Sequence, residues 1–189
     1  MKTKLFMFDL DGTLCNTDKV NYLAYKKALN DEGYDMDFEY FQTKCSGRNY
    51  LEFIPPISSN DKDFLNKIHN NKKQYYKLFL SEAKLNTKLV DFIKKNKHNT
   101  FITLNTTASR ENCMDILNHF GIVDLFDSIV TKEDVVNVKP DPECYIKPVE
   151  FYGIDRKNCE IFEDSECGIK TAYNAGIKCN KVVMPPIQN

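Results

Sequence analysis

No hydrophobic run in these 189 residues approaches the ~18 that a membrane-spanning helix needs. The apolar stretch Leu5–Phe8 is cut at once by Asp9. Neither sign of charge is in excess: 26 Lys and Arg stand against 27 Asp and Glu, a formal net charge of -1. That balance argues against a nucleic-acid surface, and the abundant Lys and Asn are scattered as on solvated faces. The seven cysteines include no C-x-x-C pair and are odd in number, which fits neither a zinc site nor a disulfide framework. Reduced thiols in a cytoplasmic protein are expected instead. No secretory leader, internal repeat or low-complexity segment is expected either. Without a leader, the sequon Asn105-Thr106-Thr107 carries little meaning.

What is there suits one globular domain with an inserted subdomain: 42% of residues are hydrophobic. Leu5-Phe6-Met7-Phe8, ending in Asp9 and an Asp11-Gly12 turn, has the continuous apolar character of a strand buried in a parallel sheet. Val20, Leu23, Ala24, Ala28 and Leu29 recur at helical spacing before Gly33. From about Asp35 to Lys84 no strand is predicted. Tyr50–Ile54 is expected to be helical up to Pro55-Pro56, and a longer helix follows Asp61. Beyond it, strands at Phe101–Leu104, Ser128–Val130, Cys159–Phe162 and Lys178–Val183 alternate with helices at Leu89–Lys95, Arg110–Phe120, Glu143–Tyr152 and Gly168–Ala175. Such alternation predicts an α/β fold with a parallel sheet, whose ligands bind beyond the carboxyl ends of the strands.

Four polar clusters fall at those ends. In Asp9-Leu10-Asp11-Gly12-Thr13, two carboxylates on one junction are costly unless a cation such as Mg²⁺ or a shared proton relieves them. A plain Asp-Gly turn is the competing explanation. Asn105-Thr106-Thr107 offers a hydroxyl and backbone N–H groups to a phosphoryl oxygen, or simply caps the next helix. Lys139-Pro140-Asp141-Pro142 presents a fixed ammonium, or an ordinary turn before a helix. Glu163-Asp164-Ser165 suits a hard divalent cation, or helix capping. Each plain explanation stands alone. Their joint occurrence at four strand ends points to one crevice holding a nucleophile, a proton carrier, phosphate donors and a metal site.

The order and wording of the clusters resemble the haloacid dehalogenase superfamily. Phe-Asp-Leu-Asp-Gly-Thr-Leu at 8–14 is similar to its first motif. Thr106 matches the second-motif Ser/Thr, or Thr107 if the alignment slips by one. Lys139 matches the third, and Glu163-Asp164-Ser165-Glu166-Cys167-Gly168-Ile169 the fourth, in the wording of the beta-phosphoglucomutase-like and phosphoglycolate phosphatase-like branch. The resemblance implies a Rossmann-like core over 1–15 and 85–189 with an all-helical cap over 16–84. Within that cap, Gly47 and Arg48 resemble a loop that reaches the substrate, and Lys72 aligns with a lysine on substrate phosphate. Many relatives continue past the position of Val183 with another strand and helix, so a reduced sheet edge is expected.

The implied chemistry is Mg²⁺-dependent hydrolysis of a small phosphorylated metabolite, such as a sugar phosphate or phosphoglycolate. Asp9, the Asp11 carbonyl, Asp164 and nearby Glu163 are the implied metal residues. Asp9 attacks phosphorus to form an aspartyl-phosphate, and Asp11 moves the proton of the leaving group and then of water. Thr106 and Lys139 stabilise the phosphoryl oxygens. Asn21 stands where the mutase carries a histidine, which favours hydrolysis over a phosphomutase. Asp11 argues against dehalogenation. A non-hydrolytic phospho-acceptor or binding module is the rival from another class. A monomer or weak homodimer is expected.

Overall fold

The computed structural model describes residues 2–45 and 48–184. In chain order the elements are β1 (Lys4–Phe8), β2 (Cys15–Asn16), α1 (Asp18–Asn30), α2 (Phe38–Tyr40), α3 (Tyr50–Phe53), α4 (Lys62–Tyr76), β3 (Lys84–Leu85), α5 (Thr87–Asn96), β4 (Thr100–Asn105), α6 (Arg110–His119), β5 (Ser128–Val130), α7 (Glu143–Tyr152), β6 (Cys159–Glu163), α8 (Glu166–Ala175) and β7 (Lys178–Lys181). They form two compact units, Met1–Asn16 with Lys84–Asn189, and Thr17–Ala83.

The first unit is built on a five-stranded sheet in the order β5-β4-β1-β6-β7, with every pairing parallel. Strand β1 lies in the middle, Phe6 beside Ile102 of β4 and Glu160 of β6. Its alternating side chains serve two faces, which is why the run is apolar throughout. Leu5 and Met7 join a core with Tyr145 and Val149 of α7 and with Ala172 and Ala175 of α8. On Phe6 and Phe8 the pattern is aromatic: Phe6 stacks on Phe92 of α5 at 5.8 Å, and Phe8 on Phe162 at 4.5 Å. Such pairs add about 0.5–1.5 kcal/mol each beyond the area they bury. A two-residue antiparallel ribbon, β2 with β3, pairs Cys15 with Leu85 and Asn16 with Lys84. Neither of its strands was predicted, because two residues carry no periodicity to detect.

Helix α7 contains Pro148, which has no N–H to return to Cys144, four residues earlier. The freed Cys144 carbonyl accepts instead from the Asn105 amide at 2.8 Å. One helix defect thereby ties α7 to the carboxyl end of β4. Helix α8 begins at Glu166, two residues earlier than predicted, because the Ser165 hydroxyl caps it by accepting from Gly168 N–H at 3.0 Å. Strand β7 stops at Lys181, short of the predicted Val183.

The second unit is helical. Its core joins Tyr25, Ala28 and Leu29 of α1 to Phe41, Phe53, Leu65 and Ile68. Tyr25 takes the buried place that the sequence pattern assigned to Leu23, which is only partly covered. Asp61 caps α4 by accepting from Phe64 N–H at 2.8 Å. Among the described residues no helix is long and apolar enough to cross a membrane.

Candidate active site

The carboxyl edge of the sheet carries the chemistry. Asp9 directly follows β1, and its N–H donates to the Phe162 carbonyl at 3.0 Å, so the strand ladder places its side chain. Glu163 closes β6, and Asp164 is the next residue. Thr106 follows β4 and donates its N–H to the Val130 carbonyl at 2.9 Å. Lys139 comes from the loop before α7. Its ammonium donates to Asp9 Oδ1 at 2.6 Å, Glu163 Oε1 at 2.6 Å and the Asn105 carbonyl at 3.0 Å. Residues from the ends of β1, β4 and β6 and from the loop leading into α7 thus converge on one ammonium.

Asp164 stands beside them, its Oδ1 accepting from the Thr13 hydroxyl at 2.8 Å. Carboxylate oxygens of Asp9, Glu163 and Asp164 all lie within 4.8 Å of one another. Two glycines make the packing possible. A Cβ on Gly12 would lie 2.2 Å from Asp164 Oδ2, and Gly12 has φ +89, a conformation side chains rarely adopt. A Cβ on Gly168 would lie 1.9 Å from the Glu163 carboxyl carbon, so α8 can start here only with a hydrogen in that place.

Burial pushes the Asp9 carboxyl well above the ordinary carboxylate range; Lys139 opposes this and Glu163 adds to it. Burial likewise raises Asp164, against the Thr13 hydrogen bond and with help from the Glu163 charge. Burial pulls Lys139 down, but the charges around it, Asp9 first, hold it well above its usual value, so it remains an ammonium. Three carboxylates packed around a single ammonium leave negative charge to neutralise. Oxygen donors at this spacing fit a hard divalent cation.

Glu163 has little left to offer such an ion. Oε1 accepts from Lys139 and from the Tyr145 hydroxyl at 2.8 Å. Oε2 accepts from Asp164 N–H at 3.2 Å and from the Ser165 hydroxyl at 3.3 Å. Asp9 and Asp164 are the better donors, and Glu163 stands behind them. Thr13 and Tyr145 escaped the sequence reading. Thr13 was part of a motif already explained, and Tyr145 fits the apolar periodicity of α7 like any core aromatic.

The remaining sequence-predicted residues are placed as follows. Asp11 is exposed on the loop after β1, bridged to Cys15. Thr106 is buried, and its hydroxyl accepts from Ala108 N–H at 3.0 Å, whereas Thr107 is exposed. Arg48 and Lys72 belong to the helical unit. Arg48 is exposed; Lys72 is buried, its ammonium 4.6 Å from the Tyr76 ring centre and 5.3 Å from that of Tyr25. Gly47 lies outside the described residues.

Fold and site together define an α/β protein with an acidic, lysine-bearing centre at the carboxyl edge of a parallel sheet. A family model described as haloacid dehalogenase-like hydrolase matches residues 6–182, and the chain belongs to that family. It is 26% identical over 178 residues to a phosphorylated carbohydrates phosphatase of Thermotoga maritima, spanning 91% of this chain and 81% of that one. It is 25% identical over 182 residues to the beta-phosphoglucomutase of Bacillus subtilis, spanning 92% and 80%. Among solved structures, CbbY from Rhodobacter sphaeroides in complex with phosphate has the same fold, with a TM-score of 0.78 at 23% identity over 94% of this chain and 84% of that one.

Proposed function

We propose that the chain is a Mg²⁺-dependent phosphatase of small phosphorylated metabolites, acting through an aspartyl-phosphate on Asp9. The observation that carries this reading is the Asp9 carboxylate at the end of β1, buried, bonded to Lys139 at 2.6 Å, with Asp164 alongside. The similarity to a protein named as a phosphatase of phosphorylated carbohydrates supports the substrate class.

Asp9 and Asp164, with the Asp11 carbonyl, are the residues assigned to hold Mg²⁺, which when bound supplies positive charge to phosphoryl oxygens that would otherwise repel a carboxylate. Lys139 orients Asp9 through Oδ1 and gives an ammonium to the transferring group. Asp9 attacks phosphorus, the bond from phosphorus to the leaving-group oxygen breaks, and an acyl phosphate forms that water later hydrolyses. The Asp11 side chain, exposed on the same loop, protonates the departing alkoxide and later takes a proton from water. Thr106, buried at the end of β4 beside the carbonyl that meets Lys139, is preferred to Thr107 as the hydroxyl for a phosphoryl oxygen. Selection of the leaving group is assigned to the helical unit, with Arg48 and Lys72 as candidates.

Release of phosphate from an aryl phosphate with Mg²⁺ tests the assignment. Asp9→Asn is expected to abolish it, and wild-type turnover in that variant would end the nucleophile assignment. Asp11→Asn is expected to slow turnover while leaving Mg²⁺ affinity in place; a loss of affinity as large as in Asp164→Asn contradicts its role. The likeness to a phosphomutase raises interconversion as a second reading. Asn21 weighs against it: its amide donates to the Thr17 carbonyl and hydroxyl within the first turn of α1, and it offers no imidazole. Phosphate set free from a sugar phosphate, rather than an isomeric product, decides between them.

A further inference from the structure

We propose that Tyr145 is a positioning residue of this centre: its hydroxyl, through Glu163, holds the Lys139 ammonium where Asp9 and the transferring phosphoryl group need it. The catalytic half of this inference rests on the phosphatase reading above; the geometric half does not.

Tyr145 is fully buried on α7. A phenol there needs a partner, and the one it has is Glu163 Oε1, the oxygen that also takes Lys139. The Glu163 side chain is 1% exposed, so protein donors alone stabilise its charge. Two donors fill Oε1 and two fill Oε2. A carboxylate held from both sides, with Gly168 clearing the space behind it, cannot swing. It thereby fixes the ammonium, whose three donors go to Asp9, Glu163 and the Asn105 carbonyl. The Tyr145 ring adds a second restraint, with its centre 5.1 Å from the Lys139 nitrogen. Remove the hydroxyl, and among the described residues Oε1 keeps Lys139 as its only donor. The ammonium is then drawn toward Glu163, away from Asp9 and from the phosphoryl oxygens it serves.

Tyr145→Phe isolates the hydroxyl, because the ring and its packing stay. Two measurements on the full chain test it: steady-state hydrolysis of an aryl phosphate at saturating Mg²⁺, and ¹H–¹⁵N detection of the protected Lys139 ammonium, assigned by its loss in Lys139→Met. The expected kcat falls about tenfold with KM changed by less than about twofold, as for loss of a hydrogen bond to a charged group that acts in the transition state. The ammonium signal is expected to broaden. Glu163→Gln is expected to lower kcat on its own, and the double variant to fall no further, since both changes cut one chain of contacts. Wild-type kcat in Tyr145→Phe, an unbroadened ammonium, or independent losses that multiply overturns the proposal. Should Glu163→Gln fail to fold, Tyr145→Phe and the ammonium signal decide alone. Should the wild type release no phosphate from any ester, the phosphatase reading fails by itself, and the ammonium signal still decides for or against the positioning role.

Discussion

Gly168 shows how far one hydrogen atom can determine a site. It sits in the first turn of α8 with no need for a left-handed backbone, so helix propensity alone favours alanine by about 1 kcal/mol. The Glu163 carboxyl occupies the space a methyl would take. Gly168→Ala is therefore expected to destabilise by about 1–3 kcal/mol, the cost of overpacking, and to displace Glu163 and with it Lys139. Urea unfolding and kcat measured on the same variant check this; a more stable and fully active Gly168→Ala would mean the carboxyl has room to move. At this scale the sequence named the charged residues of the site but not what holds them. The motif wording picked out Asp9, Lys139, Glu163 and Asp164 as one set. It did not show that Glu163 turns four of its contacts inward, because that depends on Tyr145, Ser165 and a glycine on the next helix.

Elements hold these residues through their loops. Lys139 rides on the segment between β5 and α7, and Glu143, the first residue of α7, fastens it. The Glu143 carboxylate accepts from Val136 N–H at 3.0 Å and Asn137 N–H at 2.9 Å and pairs with Lys147 at 3.0 Å. Those bonds, Asn137 first, pull its pKa down to about 2 from an ordinary 4.5. A depressed carboxyl stabilises the fold in its charged form. That contribution is complete above its ordinary value, shrinks below it and is lost as pH falls through about 2. Glu143→Gln is expected to lower the melting temperature at pH 7 by clearly more than at pH 2.5; a gap that stays constant with pH refutes it. Asn105 is the second fastening. Asn105→Ala strands the buried Cys144 carbonyl, at a cost of about 1–3 kcal/mol. Pro148→Ala in the same chain restores an N–H for that carbonyl and is expected to recover part of the loss, read by thermal unfolding.

Much of the element order was legible, since β5 and α7 have the predicted bounds and the sheet is parallel as the alternation implied. The ribbon of β2 and β3 was not. It exists only because chain segments from either side of the helical unit meet, and nothing local in Cys15–Asn16 or Lys84–Leu85 announces it. The cap of α8 was in view, since helix capping was one of two explanations for Glu163-Asp164-Ser165, but the predicted helix begins at Gly168, two residues late.

At the scale of the whole molecule, the excess of carboxylates at the sheet edge is a stored cost that the proposed cation would offset. A ligand at about 100 times its dissociation constant contributes about 2.7 kcal/mol to the state that binds it. For a chain of this size that corresponds to a rise of roughly 5–10 °C in the melting temperature. Thermal scans in Mg²⁺ against a chelator are expected to show such a rise in the wild type and none in Asp164→Asn. An equal rise in both would place the ion elsewhere.

The position of β1 in the middle of the sheet has a temporal consequence. It is synthesised before either neighbour, yet Phe6 finds its lateral partners only at Ile102 and Glu160. At about 5–20 residues per second, the ribosome needs roughly ten seconds or more to supply the second of them. Until Ile102 is made Leu5–Phe8 has neither lateral partner, and until Glu160 is made one of its edges stays open to pairing with another chain.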